Sequence, residues 1–220
     1  ITDWQNGYGA EGEFLDGLTS ITSILEREGY NQALMVGSWA VFGGRDTYYN
    51  NHGVDWIWDL ISGREEGLVA PNYWNDFWGF EDLYLYEYAK YKLTLLSDME
   101  EPFAFTMLTV DTHHIGGYQC AYCTDEYAET YEQSISCSSR QVLEFVEWMR
   151  KQPWWENTTV VITGDHLSMD NGYFQRNVDA DYQRMVYNCI LNAPVSTENT
   201  KNRTYCAVDL FPTTLAALGC

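Results

Sequence analysis

The chain has 220 residues, of which 45% are hydrophobic and 16% aromatic, which suits one well-filled core and argues against a disordered chain. Twelve basic residues against 32 acidic ones give a net charge of −20, which repels phosphate backbones, so no nucleic-acid partner is expected. An anionic ligand needs a basic or metal-bearing cleft that reverses this charge locally.

The first half of the chain predicts two helices that each lead into a buried strand. SITSILEREG (residues 20–29) has apolar residues at helical spacing and ends in glycine, and YNQALMVG (30–37) behind it is typical of a buried strand. The same order recurs in EDLYLYEYAKYKLTLLSDM (81–99), a predicted helix, and PFAFTMLTV (102–110), a predicted strand.

The second half continues this alternation. SSRQVLEFVEWMRKQ (138–152) predicts a helix with the strand TTVVITG (158–164) behind it, and RMVYNCILNAP (184–194) predicts a further strand. DLFPTTLAALG (209–219) predicts a last helix. Helices alternating with apolar strands indicate an α/β fold with a mainly parallel sheet covered on both faces. We therefore expect one α/β domain over residues 1–220.

Chemically active side chains follow two of the predicted strands. PFAFTMLTV runs into Asp111, His113 and His114, and TTVVITG runs into Asp165 and His166, so three of the four histidines lie at carboxyl ends of strands. Ligands of open α/β sheets bind outside those ends. A carboxylate beside an imidazole there is typical of a metal or proton-transfer site.

The six cysteines are an even number, and several lie in or beside loop-like polar sequence, which favours an oxidising compartment. CAYC at Cys120 and Cys123 has the spacing of a zinc knuckle or a redox pair, but no second such pair follows. We expect a disulfide from Cys137 to Cys120 or Cys123, with metal binding as the alternative. Cys189 and Cys206 are the candidate second pair.

Four ordered motifs carry a family resemblance: FGGRDTYYNNHGVD, TVDTHHIGGYQC, SCSS before an amphipathic helix, and GDHLSMDN. Together they resemble the phosphoglycerol transferases that decorate osmoregulated periplasmic glucans and, more distantly, lipoteichoic acid synthase. Both belong to the alkaline phosphatase and sulfatase superfamily. The similarity runs from about SITSILEREGY to the end of the chain.

The resemblance implies roles for individual residues. Asp165 and His166 match two ligands of the family's divalent metal, with manganese or zinc expected and magnesium as an alternative. Arg45 matches an arginine that binds the phosphoglycerol headgroup, and its planar fork suits phosphate oxygens. His113 matches a substrate-binding histidine. His114 and Asp111 are supporting candidates beside it.

The resemblance also implies a reaction in two steps. A metal-activated Thr or Ser hydroxyl attacks phosphatidylglycerol, diacylglycerol leaves, and a glycan or glycerol-phosphate polymer hydroxyl resolves the phospho-enzyme. The family's nucleophile and one metal-binding acid fall upstream of Ile1, so we assign no catalytic nucleophile here and expect this chain alone to be inactive. Thr19 and Ser20 in GLTS are interpreted as a helix cap.

Membrane-spanning segments are likewise expected outside this chain, which places the catalytic domain on the outer face of a bacterial plasma membrane. Two other interpretations stay open: a phosphoethanolamine transferase, phosphatase or sulfatase of the same superfamily, and a non-catalytic binding module. The aromatic run PNYWNDFWGFEDLYLYEY (residues 71–88) allows sugar stacking, but its apolar spacing favours a helix packed on the sheet.

Overall fold

A computed structural model describes residues 12–73, 78–198 and 200–220 of the chain. The chain forms two compact units, Ile1–Phe145 and Val146–Cys220, and each is described by itself. The helices are α1 (Ile21–Arg27), α2 (Arg45–Asn51), α3 (Leu60–Glu65), α4 (Asp82–Ser97), α5 (Thr130–Met149), α6 (Asn171–Asn177) and α7 (Leu210–Ala217). The strands are β1 (Asn31–Val36), β2 (Trp56–Trp58), β3 (Phe103–Leu108), β4 (Val160–Thr163) and β5 (Asn188–Leu191).

The first unit contains a parallel sheet of three strands in the order β2-β1-β3. Ala33 in the central strand β1 pairs with Trp56 of β2 on one side and with Phe105 of β3 on the other. Since all three strands run in the same direction, their carboxyl ends lie at one edge. The parallel sheet predicted from the helix–strand alternation is confirmed.

The core of the first unit forms around β1. Residues Ala33 to Val36 of that strand are at most 2% exposed, as expected of a central parallel strand that is covered on both faces. Helix α4 packs against β1 and β3, and its buried apolar and aromatic positions are Leu85, Tyr86, Tyr88, Ala89, Leu93 and Leu96. The helix-packing interpretation of the aromatic run is thus confirmed for α4, whereas residues 74–77 lie outside the described residues.

Local capping explains where the first helix begins. Ser20 is the N-cap of α1, and its hydroxyl accepts a hydrogen bond from the backbone N–H of Ser23 at 3.0 Å. The Ser23 hydroxyl in turn accepts from the Ser20 N–H at 2.8 Å, which completes a reciprocal capping box. Ser20 therefore caps the helix, as the sequence predicted.

A close backbone crossing sets the position of the segment before α4. The Phe80 N–H donates to the Gly37 carbonyl at 3.0 Å, directly after β1. A Cβ on Gly79, whose φ is +128°, would lie 2.1 Å from that carbonyl oxygen. Only glycine, which has no Cβ, allows two backbone segments to approach so closely. The crossing therefore holds Trp78 next to the end of β1.

The second unit contains an antiparallel pair, β4 and β5, in which Val160 is opposite Leu191. The strand predicted in residues 184–194 exists, but it runs against β4 instead of parallel to it. Helix α5 begins at Thr130, eight residues before the predicted start at Ser138. None of the helices in the described part of the chain is both long and apolar enough to cross a bilayer.

Candidate functional site

Arg45 lies just beyond the carboxyl end of β1, where it is the first residue of α2. The turn before it contains Gly43 and Gly44, both with positive φ, so the chain reverses sharply at the sheet edge. The Arg45 Nη2 donates to the Ser38 hydroxyl and to the Trp39 carbonyl, each at 2.8 Å. These two hydrogen bonds hold the guanidinium beside the strand end.

The same guanidinium has unused binding capacity. Its Nε is buried and, among the described residues, has no acceptor, and a buried donor without a partner is costly unless a ligand or water completes it. Burial lowers the pKa of Arg45, yet an arginine stays protonated at neutral pH. Arg45 therefore brings a fixed positive charge into an acidic chain.

Two aromatic rings connect Arg45 to His113, which follows β3. The Arg45 guanidinium carbon lies 5.5 Å from the centroid of the Phe42 ring. The Phe42 and Trp78 rings meet edge to face with centroids 4.8 Å apart, and the Trp78 and His113 rings are 4.7 Å apart. The structure thus brings Arg45 and His113 to one edge of the parallel sheet, with the Phe42–Trp78 pair between them.

His114 orients His113. The rings of the two histidines stack with centroids 4.4 Å apart, and Nδ1 of His113 lies 2.6 Å from the His114 carbonyl oxygen. A carbonyl can only accept, so Nδ1 carries the proton and Nε2 carries the lone pair. This tautomer directs the basic nitrogen of His113 away from its own backbone.

Asp111 is a buried carboxylate beside the site. It is 2% exposed, and neither of its carboxylate oxygens has a hydrogen-bond partner among the described residues. Next to it, the Asp82 carboxylate accepts from the N–H groups of Val110 and Asp111 at 2.8 and 3.0 Å. Burial, followed by the Asp82 charge, raises the pKa of Asp111 to about 8, and burial raises the pKa of Asp82 to about 6.

The raised pKa values predict that this pair destabilises the fold as pH rises. An unfolded aspartate loses its proton near pH 4 (about 3.9), whereas folded Asp111 holds it up to about pH 8. The free energy of unfolding should therefore fall between about pH 4 and 8. We expect Asp111→Asn to remove most of this pH dependence, measured as the thermal unfolding midpoint of the full-length protein at pH 5, 6, 7 and 8. The exposed Asp179→Asn is the control, and parallel wild-type and Asp111→Asn curves would contradict the prediction.

Asp165 and His166 lie directly after β4 in the second unit. Pairing with β5 continues to Gly164, whose N–H donates to the Tyr187 carbonyl at 3.0 Å, so the two residues leave the sheet immediately beyond that bond. Their side chains are 63% and 53% exposed. The Asp165 Oδ2 lies 3.3 Å from Nε2 of His166.

The spacing of this pair is compatible with two ligands of a divalent metal as well as with an ion pair. Nδ1 of His166 donates to the Leu167 carbonyl at 2.8 Å, so Nε2 presents its lone pair to the carboxylate unless the ring is also protonated there. A cation between the two atoms removes the repulsion between the Nε2 lone pair and the carboxylate. Ligand bonds of about 2.0–2.1 Å to a tetrahedral ion place two ligand atoms about 3.3 Å apart, which matches the observed separation.

All six cysteines are free thiols in the structure, so the expected disulfides stay predictions. Cys120, Cys123 and Cys137 nevertheless lie together, with the Cys120 sulfur 3.7 Å from that of Cys123 and 3.6 Å from that of Cys137. Cys189 lies in β5 opposite Ile162. The Cys206 thiol instead donates to Asp209 at 3.2 Å.

Three contributors to the first unit's site were missed by sequence reasoning: Phe42, Trp78 and Asp82. Phe42 is the first residue of the FGGRDTYYNNHGVD motif that contains Arg45. The sequence pattern around Trp78 indicates sugar stacking or helix packing only. The pattern around Asp82 indicates only the start of a helix. Their contacts are tertiary and have no local sequence signature.

The fold and these strand-end residues define an α/β protein of the alkaline phosphatase and sulfatase class. The family described as Sulfatase matches residues 5–220, and the chain belongs to that family. Two solved structures share the fold. Lipoteichoic acid synthase LtaP from Listeria monocytogenes superposes with a TM-score of 0.59 at 19% identity, covering 73% of this chain and 40% of that one. An alkaline phosphatase superfamily protein from Vibrio parahaemolyticus gives 0.56 at 23% identity, covering 66% and 35%.

Curated relatives are named phosphoglycerol transferase I. Those of Escherichia fergusonii and Citrobacter koseri are each 34% identical over 157 residues, and that of Salmonella paratyphi B is 35% identical over the same length. These alignments cover 67% of this chain and 20% of each relative. The chain therefore spans about a fifth of the length of the curated relatives it matches.

Proposed function

We propose that the full-length protein is a metal-dependent transferase that moves a phosphoglycerol group from phosphatidylglycerol to a hydroxyl of a glycan or glycerol-phosphate polymer. The names of the curated relatives and of LtaP support a transferase of this superfamily. The observation that carries the proposal within this chain is the contact path from Arg45 through Phe42 and Trp78 to His113. It places a cation and an imidazole at the carboxyl ends of two neighbouring parallel strands.

Charge explains why this arrangement suits a phosphodiester. A chain with net charge −20 repels an anionic headgroup except where fixed positive charge is concentrated. Both Nη2 N–H groups of Arg45 are taken by Ser38 and Trp39, so Nη1 and Nε are the donors left to meet phosphate oxygens. The Nε2 of His113 then accepts a hydrogen bond from the hydroxyl that enters or leaves, and only as imidazolium does it donate to a second phosphate oxygen.

Asp165 and His166 are proposed to hold manganese or zinc, with magnesium as an alternative. When bound, such an ion neutralises phosphate charge and lowers the pKa of a coordinated hydroxyl. The His166 Nδ1–H bond to the Leu167 carbonyl leaves Nε2 as the nitrogen that would bind the ion. The hydroxyl nucleophile that the family uses has no counterpart among the residues assigned here.

A comparison of donors tests the proposal. The full-length protein, purified with its membrane segments and supplied with manganese, is presented with vesicles of phosphatidylglycerol or of phosphatidylethanolamine, and separately with an aryl sulfate. We expect diacylglycerol release from phosphatidylglycerol only, with rate increased by a glycan acceptor that becomes labelled with glycerol phosphate. Release from phosphatidylethanolamine alone would assign a phosphoethanolamine transferase, and cleavage of the aryl sulfate alone would assign a sulfatase.

The outer face of the plasma membrane is the proposed location of the full-length protein.

A further inference from the structure

Three cysteines of the first unit converge on one point beside the loop that carries His113. Cys120 and Cys123 lie in a turn in which the Cys123 N–H donates to the Cys120 carbonyl at 3.1 Å, and Cys137 lies on α5. The three sulfur atoms are all within 4.8 Å of one another. Cys137 is 1% exposed and Cys120 is 6% exposed, so this three-cysteine cluster is largely sealed from solvent.

We propose that Cys120, Cys123 and Cys137 bind a thiophilic divalent metal ion, zinc by its chemistry, that is separate from the ion assigned to Asp165 and His166. The sulfur atoms are spaced as ligands of one ion. Zinc–sulfur bonds of about 2.3 Å in a tetrahedron separate two sulfurs by about 3.8 Å, and the Cys120 sulfur lies 3.7 Å from that of Cys123 and 3.6 Å from that of Cys137. Two cysteines separated by two residues on a turn, with a third from a helix, are typical of structural zinc sites.

Gln141 provides independent support, because its buried amide points at the sulfurs. It is 4% exposed, and its Nε2 lies 3.5 Å from the Cys137 sulfur and 3.9 Å from the Cys120 sulfur. Its Oε1 is buried with no partner among the described residues. The amide N–H groups are therefore directed at the two sulfurs, and a thiolate accepts such bonds far better than a thiol does. Donors around metal-bound ligands have this orienting role.

Arg140 adds positive charge to the same region. Its Nη2 donates to the Tyr122 carbonyl at 3.3 Å, between the two loop cysteines, and its guanidinium lies over the Tyr122 ring at 5.6 Å. A Zn²⁺ ion with three thiolates carries a net charge of −1, which the Arg140 guanidinium, also 3.8 Å from the Glu126 carboxylate, offsets in part. Arg140 and Gln141 are consecutive on α5, so one helix turn supplies both the charge and the amide.

The protons of the cluster must leave when the metal binds. A metal ion binds thiolates and not thiols, so each cysteine of the cluster gives up its proton on binding. Binding then exchanges three thiol protons for one M²⁺ ion: three RSH and M²⁺ give M(SR)₃⁻ and three H⁺. Occupancy should accordingly rise with pH.

The consequence of such a site is a fixed loop. The ion would join the segment after His113 to α5, in addition to hydrogen bonds that already make this connection. The Gln119 Nε2 donates to the Thr130 carbonyl at 2.8 Å and to the Ser134 hydroxyl at 2.6 Å. The metal is therefore a structural ion that holds the substrate-side loop in place, not a participant in the chemistry.

Cobalt substitution and thiol mapping test the proposal on the full-length protein. Loaded with Co²⁺ after removal of its native metals, the wild type should show the intense near-ultraviolet band of cobalt–thiolate bonding. His166→Ala should keep that band, and Cys123→Ser should weaken or lose it. The matched control, Cys220→Ser, should leave it unchanged. Cys123 is only half-buried, so its replacement by serine is the variant best tolerated by the fold.

Thiol mapping of the wild type alone also tests the proposed metal site. Alkylation in denaturant with a chelator and no reductant, followed by peptide mapping, should label Cys120, Cys123 and Cys137 as thiols. A disulfide between any two of these residues would overturn the proposal and restore the disulfide expected from the sequence. Labelled thiols without a cobalt–thiolate band would overturn it as well, since they would show a buried thiol cluster only.

Discussion

His166→Ala in the full-length protein is expected to lower phosphoglycerol transfer by about 10³-fold, because the bound ion would supply about 4 kcal/mol of stabilisation to the transition state. The side chain is 53% exposed, so its removal should leave folding nearly unchanged. Asp165→Ala should behave in the same way, since the two atoms 3.3 Å apart are proposed to share one ion. Steady-state transfer rates and manganese binding by calorimetry measure the two effects.

The control for this prediction is the exposed Asp181→Asn, which changes a charge in the same unit without touching the pair. The weakened manganese affinity should accompany the loss of rate, and a high manganese concentration should restore part of it. A variant that binds manganese as tightly as the wild type, or that transfers at the wild-type rate, would show that Asp165 and His166 are not the metal ligands.

The elements that the sequence predicted well are those whose pattern is local and strong. Strands β1 and β3 and helices α1 and α4 begin and end within a few residues of their predicted bounds, because capping residues, glycine stops and apolar runs mark them. Strand β2, Trp56–Trp58, was missed, since three residues are too few to show a period. Helix α5 starts earlier than predicted because its first turns, from Thr130, are mostly polar and hide the helical pattern.

The direction of β5 could not be predicted from its composition. An apolar strand of four residues shows the same pattern whether it pairs in parallel or antiparallel fashion, and the partner decides. The site residues, too, could be predicted from the sequence only in part. The positions of Asp165, His166 and His113 beyond strand ends follow from the strand prediction, whereas the contacts of Phe42 with Trp78 and of Asp82 with the end of β3 depend on chain crossings such as that of Gly37 with Gly79.

Arg45, beyond the end of β1, has two roles, in proposed phosphate binding and in holding its own turn, and a matched control variant can separate them. Arg45 already makes two internal hydrogen bonds through Nη2, to Ser38 and to the Trp39 carbonyl. Arg45→Ala therefore removes both a proposed phosphate contact and two bonds that hold the turn. Ser38→Ala is the matched control, since it deletes one of those internal bonds, at a cost of about 1 kcal/mol in stability, and keeps the guanidinium.

Arg45→Ala is expected to lower transfer from phosphatidylglycerol by about 10²–10³-fold, as the loss of one preorganised donor to a developing anion typically does. Arg45→Lys should recover little of this, because an ammonium group is not the planar fork that fits phosphate. Ser38→Ala and the exposed Arg150→Ala should stay within about threefold of the wild type, since neither removes that charge. His113→Ala should lose activity less severely if the histidine only positions the substrate. Transfer rates and thermal midpoints of all five variants separate the two effects, and Arg45→Ala at the wild-type rate would remove Arg45 from the headgroup site.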